Sequence, residues 1–357
     1  MTGCRSPFQC IVPPVLLERI ARNGTDKQRG WALDTMATDT TLRAARIQNA
    51  AARSMMARRA LAELDHGTGK PRRTIRDAKS KEDLTGVTVR DEGQGPCGDK
   101  AADEAYDGFG HTFNFFWDIF KRDSINDQGM ELLGIVHFGK KYDNAFWDGQ
   151  RMVFGDGDGE IFNRLTASLD VIAHELAHGV TEHESGLVYM GQPGALNESL
   201  SDVWGSCVKQ YMLKQKAEDA DWLIGAGLLT KKVKGVALRS MKAPGTAYDD
   251  KVLGRDPQPG HMKNYNPTQA DNGGVHINSG IPNHAFYTTA VTLGGYSWER
   301  AGKIWYEASK SPRLRPNSRF EVFAKSTLAT AVRLYGADSD ETRAVKAGWD
   351  KVGITAA

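Results

Sequence analysis

The sequence predicts an α+β fold that is strand-rich early, helical late and preceded by a basic helical leader. Three observations predict it. Leu132-Leu133-Gly134-Ile135-Val136-His137-Phe138 and Thr85–Val89 are β-rich, and only Asp103–Phe120 between them has helical spacing. A central apolar run (Leu169, Val171, Ile172, Ala173, Leu176, Ala177, Val180) repeats at the helical period. Three late segments, Ser297–Lys310, Asn317–Tyr335 and Asp338–Lys351, each open on a capping residue, with Asp338-x-x-Glu341 resembling a capping box.

The elements follow in chain order. Pro13-Pro14 opens a short helix, since proline is tolerated in a first turn. A longer helix, rich in alanine and arginine, is expected from about Thr41 to Leu64 and stopped by Gly67. His66-Gly67-Thr68-Gly69-Lys70-Pro71-Arg72-Arg73 reads as an exposed linker. Residues 1–71 carry 11 Lys and Arg against 6 Asp and Glu, whereas the remainder carries 35 against 38. Strands, turns and one helix are expected from about 75 to 165, and helices with loops beyond Ala217.

Composition narrows the function. The 357 residues are 40% hydrophobic and 25% charged, enough for two ordinary domains. A net charge of +2 gives no sign of attraction to nucleic acid or a membrane surface, and no run approaches a membrane-spanning helix. Ile11–Leu17 is apolar, but two prolines break it and charged residues follow, unlike a secretory signal. The expected location is therefore cytoplasmic, or outside the cell by a leaderless route. Cys4, Cys10, Cys97 and Cys207 lack metal-ligand spacing and suit a reducing compartment or unpaired thiols. A thiolate at Cys10 has the chemistry to cap a zinc ion.

The informative motif is His174-Glu175-Leu176-Ala177-His178 inside the central helix. Residues four apart share a helix face, so both imidazoles reach one metal, while Glu175 is placed to act on a water. Catalytic zinc takes three protein ligands and leaves a position open. Glu198 supplies the third from a second apolar helix. Bare, the pentapeptide is also compatible with a solvated helix face. Within an apolar run, however, unliganded histidines are costly to bury. Asn197 and Asp202 flank Glu198 and are of the type that receive the second N–H of a ligating histidine.

His-Glu-Leu-x-His-x-Val-Thr, Asn197-Glu198-x-x-Ser201-Asp202 and Asn272-Gly273-Gly274-Val275-His276-Ile277-Asn278-Ser279-Gly280 resemble the thermolysin family of metalloendopeptidases. Asn144-Ala145-Phe146-Trp147-Asp148-Gly149 and Gly155-Asp156-Gly157-Asp158-Gly159 match it too, and the resemblance runs from about residue 85 to the C-terminus. The leader, with Val12-Pro13-Pro14-Val15-Leu16-Leu17, is similar to the short propeptides of the protealysin branch. The resemblance implies a two-lobed protease: propeptide and linker at 1–71, a β-rich lobe with the zinc helix at 72–185, and a helical lobe at 186–357. It implies one catalytic Zn2+, protein or peptide substrates, and a propeptide docked on the catalytic domain.

The resemblance also implies roles. Glu175 is the general base, while His276 and Tyr189 are donors to the developing oxyanion, with Asp271 orienting His276. Asn144, the Ala145 carbonyl and Trp147 hold an extended substrate backbone, and Arg239 binds a substrate carbonyl. Phe162, Leu165, Val171 and Leu238 line the pocket for a bulky apolar residue just after the cut. Each has a plainer alternative as core or surface residue. Thermolysin's double calcium site is expected to be absent: Asp170 and Asp221 remain, but Lys209, Leu223 and Ala226 stand where ligands belong. The Gly155–Gly159 loop lacks EF-hand spacing and reads as a turn, which leaves a single Ca2+ elsewhere open. Two other functions share such a scaffold. An exopeptidase needs a group to grip a free amine, for which no motif is found. A non-catalytic binding protein would have lost Glu175, His276 or a ligand, and none is lost.

Overall fold

The computed structural model describes residues 9–57 and 69–356. The leader starts with a two-residue strand, β1 (Gln9–Cys10), followed by helices α1 (Pro14–Asn23) and α2 (Asp26–Ala57). Pro14 occupies the first helical position, where no N–H is needed. One face of α1 buries Leu16, Leu17 and Ile20. The chain turns at Gly24, and Thr25 and Gln28 then exchange bonds: Thr25 N donates to Gln28 Oε1 (2.9 Å) and Gln28 N to Thr25 Oγ1 (3.4 Å). This box starts α2 fifteen residues before the expected Thr41. The low helix propensity of the intervening threonines hid it. Thr35, Thr38 and Asp39 are buried against the rest of the protein, so packing overrides propensity. The expected stop at Gly67 lies outside the described residues.

A six-stranded sheet joins β1 to β2 (Arg73–Asp77), β3 (Val87–Asp91), β4 (Leu132–Val136), β5 (Ala145–Trp147) and β6 (Arg151–Phe154), in the order β1-β5-β6-β4-β2-β3. The β2/β4 and β4/β6 pairs are parallel and the others antiparallel. The leader strand extends this sheet at its β5 edge, pairing Gln9 with Trp147 and Cys10 with Phe146. Strand β2 begins at Arg73, inside the expected linker. Glu92 clamps the Arg73 guanidinium (Nη2 to Oε1, 2.6 Å), which stacks on Tyr106. Helix α3 (Lys100–Phe120) covers one face of the sheet, its N-terminus capped by Asp99, which accepts from Ala102 N.

The second half is built on α4 (Leu169–His183) and α5 (Gly191–Leu213). They approach closely at Gly205, where a Cβ would lie 2.4 Å from the Asp170 carbonyl oxygen. Residues 214–269 carry two short ribbons rather than the expected helices. These are β7 (Leu223–Ile224) with β8 (Arg239–Ser240), and β9 (Asp249–Asp250) with β10 (Gly254–Arg255). The helical end comprises α6 (Ala270–Asn278), α7 (Gly280–Leu293), α8 (Lys303–Ser309), α9 (Phe320–Tyr335) and α10 (Asp340–Lys351). Its core includes Trp305 stacked on Trp349, whose indole N–H donates to Thr327. Three expected caps are corrected. Helix α9 starts at Phe320 with Arg319, not Asn317, at the N-cap position and no side-chain capping bond. Ser339, not Asp338, caps α10 by accepting from Thr342 N, and Ser297 gives its hydroxyl to Gln210 instead of a helix start.

Candidate metal centre and active site

Helices α4 and α5 bring His174, His178 and Glu198 together, all fully buried. Glu198 Oε2 is 3.5 Å from His174 Nε2, and Glu198 Oε1 is 3.4 Å from His178 Nε2. The two Nε2 atoms and Glu198 Oε2 have no hydrogen-bond partner among the described residues. Such a gathering of lone pairs is costly unless something shares it, and a tetrahedral cation with nitrogen and oxygen ligands fits.

The opposite edge of each imidazole is held. Asn197 donates from Nδ2 to the Leu187 carbonyl, which turns its Oδ1 to His178 Nδ1 at 2.8 Å. Nδ1 is thereby the protonated nitrogen and Nε2 keeps its lone pair for a metal. Ser201 Oγ lies 2.9 Å from the same Nδ1. Burial, then the neighbouring His174, hold the His178 pKa well below the usual value, so it is neutral as a ligand must be. His174 Nδ1 lies 2.8 Å from Asp202 Oδ1. Asp202 is also gripped by Arg239 through Nε (2.9 Å) and Nη2 (2.8 Å), and by Asn283 Nδ2 (2.8 Å).

Glu175 is buried beside the ligand cluster, its Oε2 accepting from the Trp147 N–H of β5 at 3.1 Å. On the far side stand Tyr189 and His276. The Tyr189 hydroxyl donates to Glu198 Oε1 and lies 3.1 Å from His276 Nε2. His276 reaches this point from a backbone turn in which Asp271, Asn272, Gly273 and Gly274 are all left-handed. Two of those four are not glycine, and such strain persists only where other bonds hold it. Asp271 supplies them, with Oδ2 accepting from His276 N (2.9 Å) and Oδ1 facing Nδ1 (2.6 Å). Burial opposes charge on His276, but Asp271 and Glu198 outweigh it and lift its pKa to about 9.

The leader passes through this site. Ile11 N donates to the Ala145 carbonyl (3.2 Å), Val12 N to Asn144 Oδ1 (3.0 Å), and Arg239 Nη1 to the Ile11 carbonyl (3.2 Å). The Cys10 carbonyl faces His276 Nε2 at 2.8 Å. Asn144 is turned by Asp39 of α2, which accepts from its Nδ2 at 2.9 Å. The zinc cap weighed for Cys10 is corrected: its thiol packs among Phe138, Tyr142, Phe146 and Val153, and its backbone meets the site instead. Phe162, Leu165, Val171 and Leu238 are buried in the apolar cluster that takes in Ile11 and Val12.

Where double-site calcium ligands would belong, Lys209 Nζ donates to Asp170 Oδ2 (2.8 Å), Asp221 Oδ1 (2.9 Å) and the Leu223 carbonyl (2.7 Å). The Gly155–Gly159 loop is a turn, with Asp158 Oδ1 accepting from the N–H groups of Glu160, Ile161 and Phe162. Two supporting residues escaped the sequence reading. Gln258 donates to the His276 carbonyl (2.7 Å) from a loop without periodicity, so nothing signalled it. Asn283 stood as a lone amide in the apolar start of α7, which was a usable sign of a buried partner.

Two histidines and a glutamate converging on a buried point, with a carboxylate and an imidazole on either side, define a metallopeptidase centre. The description "Thermolysin metallopeptidase, catalytic domain" matches residues 44–182, and "Thermolysin metallopeptidase, alpha-helical domain" matches residues 185–354. The chain belongs to the thermolysin family and is a metalloendopeptidase. It is 50% identical over 348 residues to an "Extracellular metalloprotease" of Pectobacterium carotovorum subsp. carotovorum, covering 98% of this chain and 97% of that one. "Protease PrtS" of Photorhabdus sp. (strain Az29) is 45% identical over 97% of this chain and 92% of its own. Among solved structures, the precursor of protealysin from Serratia proteamaculans superposes with a TM-score of 0.87 at 50% identity, over 97% of this chain and 100% of that one. Among the described residues, no helix is long and apolar enough to cross a membrane.

Proposed function

We propose that this zinc endopeptidase cuts on the N-terminal side of bulky apolar residues. In the same reading, residues 1–71 are a propeptide that docks in its cleft and is removed by the enzyme near the linker, and residues 72–185 and 186–357 are the two lobes. One observation carries the reading: leader residues 10–12 lie extended along β5 and use the backbone-binding groups of the cleft as a substrate would. Because the leader continues on both sides of the centre, the arrangement favours internal cleavage over the exopeptidase alternative.

His174, His178 and Glu198 hold the zinc, which supplies Lewis-acid polarisation of water and carbonyl when bound. Glu175, aligned by the Trp147 N–H, accepts the proton of the attacking water and delivers it to the departing amine. Tyr189 and His276 aim donors at the oxygen on which charge develops, and Asp271 fixes the ring. Asn144, Ala145, Trp147 and Arg239 set the register of the backbone. A pocket of Phe162, Leu165, Val171 and Leu238 rewards a buried aliphatic or aromatic side chain by about 1.5–3 kcal/mol.

The test is mass spectrometry of a peptide library incubated with zinc-loaded, fully processed protein beside Glu175→Gln. Internal cuts before Leu, Phe or Ile are expected from the wild type, and at least ~100-fold slower cutting from the variant, the lower end of general-base contributions. Zinc-loaded, leader-free protein that cuts nothing in either form would point to a binding role.

A further inference from the structure

We propose that the Cys10–Ile11 peptide bond is itself a cleavage site of the chain's own active centre, distinct from the processing bond near the linker. The inference rests on the endopeptidase reading above and adds a second product to it: free residues 1–10, and a leader that begins at Ile11.

The register assigns the bond. Four of the groups expected to hold a substrate, His276, the Ala145 carbonyl, Arg239 and Asn144, each engage one backbone atom of residues 10–12. The Cys10 carbonyl oxygen is at the oxyanion donor His276 (2.8 Å). The next N–H, of Ile11, is on the Ala145 carbonyl, and the next carbonyl, of Ile11, is on Arg239. The following N–H, of Val12, is on Asn144. The carbonyl at the reacting position therefore belongs to Cys10, and the amine that would depart belongs to Ile11. Ile11 is fully buried, as the apolar residue after a cut should be. Gln9 pairs with Trp147, whose N–H holds Glu175, so the chain also continues in register on the other side of the bond. The next residues leave at once: Pro13 precedes α1, and Arg19 on α1 ties to the Leu253 and Arg255 carbonyls. These anchors hold the leader in this register.

The reaction balances as hydrolysis. The oxygen of one water bonds to the Cys10 carbonyl carbon, and the Cys10–Ile11 C–N bond breaks. Both protons of that water pass in turn through Glu175 to the Ile11 nitrogen, which keeps its own hydrogen. The products are a Cys10 carboxylate and an Ile11 ammonium. The cut removes only residues 1–10 and leaves α1 and α2 attached, so the leader stays docked in product-like form. Since the bond already lies in its own cleft, the reaction is first order in protein.

Intact-mass spectrometry of the zinc-loaded full chain over time, at three protein concentrations, tests this beside Glu175→Gln. Leader species beginning at Ile11 are expected at a rate independent of concentration, and at least ~100-fold more slowly in the variant. Hydrogen exchange on the Glu175→Gln chain gives a readout free of turnover: the Ile11 and Val12 amides should exchange at least ~100-fold more slowly than in an unstructured peptide, as bonded core amides do. Protein that cuts an added peptide after processing, yet yields leader fragments that all retain residues 1–10, overturns this proposal alone. Unprotected Ile11 and Val12 amides overturn the register. Protein that cuts no peptide overturns the endopeptidase reading and this one with it.

Discussion

Asp202 is the residue on which most of the centre converges. Fully buried, it meets the outer nitrogen of His174, two nitrogens of Arg239 and the amide of Asn283. Burial alone would raise its pKa, but Arg239 and His174 hold it well below the usual carboxylate range. One carboxylate thus fixes together a proposed metal ligand and the arginine proposed to bind substrate. Asp202→Ala strands the Arg239 charge in the interior, and uncompensated buried charges cost about 3–5 kcal/mol. A lowered unfolding midpoint is expected, and separately a zinc affinity reduced about 10–100-fold in a chelator competition, as for other lost partners of ligating histidines. Unchanged zinc affinity in folded protein would separate Asp202 from the metal and leave it only the arginine. His174 and His178 were legible because four residues on a helix is a geometric statement. His276 was legible only by resemblance, since no periodicity announces four consecutive left-handed residues.

At the scale of elements, α4 and α5 are tied to the loop after them through Lys209, whose ammonium sits between Asp170 and Asp221. Asp170 has no exposed surface, whereas Asp221 is nearly half exposed, so the pair with Asp170 dominates. Lys209→Ala should destabilise by about 3–5 kcal/mol by leaving Asp170 unpaired. Millimolar calcium should raise the midpoint of the variant by more than that of the wild type; equal calcium responses would refute the substitution of lysine for a cation. A second tie joins the end of β4 to the start of α3, where His137 sits between Asp156 (2.8 Å) and Asp99 (3.0 Å). Bonding to Asp156 outweighs burial and, with Asp99, raises its pKa to about 9. A raised histidine pKa stabilises fully below its unfolded value near 6.5 and loses that contribution as pH climbs through about 9. His137→Asn, which tolerates the left-handed backbone there (φ 54°), should flatten the fall in stability across pH 6.5–9. An equally steep fall in the variant would assign it to other groups. These ties show where sequence reading stops. Helices α1, α3 and α4 and strand β4 announced themselves by period and proline. Strand β2 did not, because Arg73-Thr74-Ile75-Arg76-Asp77 has a single buried side chain and owes its place to pairing with β4 and to Glu92.

For the molecule as a whole, residues 10–12 and Arg73 occupy different places, and under the proposed self-processing this sets its order. Residues 10–12 fill the cleft along β5, while Arg73, just past the linker, is already paired into β2. Three strand steps, through β6 and β4, separate β5 from β2, about 14 Å at the usual strand spacing. To cut its own linker, a molecule must undock the leader from the centre and peel Arg73 away from both Glu92 and the β4 register. Undocking exposes Ile11, Val12, Leu16, Leu17 and Ile20, each worth about 1.5–3 kcal/mol when buried. A linker presented to the empty cleft of another, already processed molecule faces only the second of these costs. Linker cleavage should therefore start with a lag, accelerate as processed enzyme accumulates, and rise in initial rate with protein concentration. A trace of processed wild type should abolish the lag, and the same trace should process the Glu175→Gln chain, whose own cutting is at least ~100-fold slower. A lag-free, single-exponential loss of the leader at a concentration-independent rate would mean that the linker does reach its own centre, and that the β2 pairing of Arg73 opens before processing rather than after it.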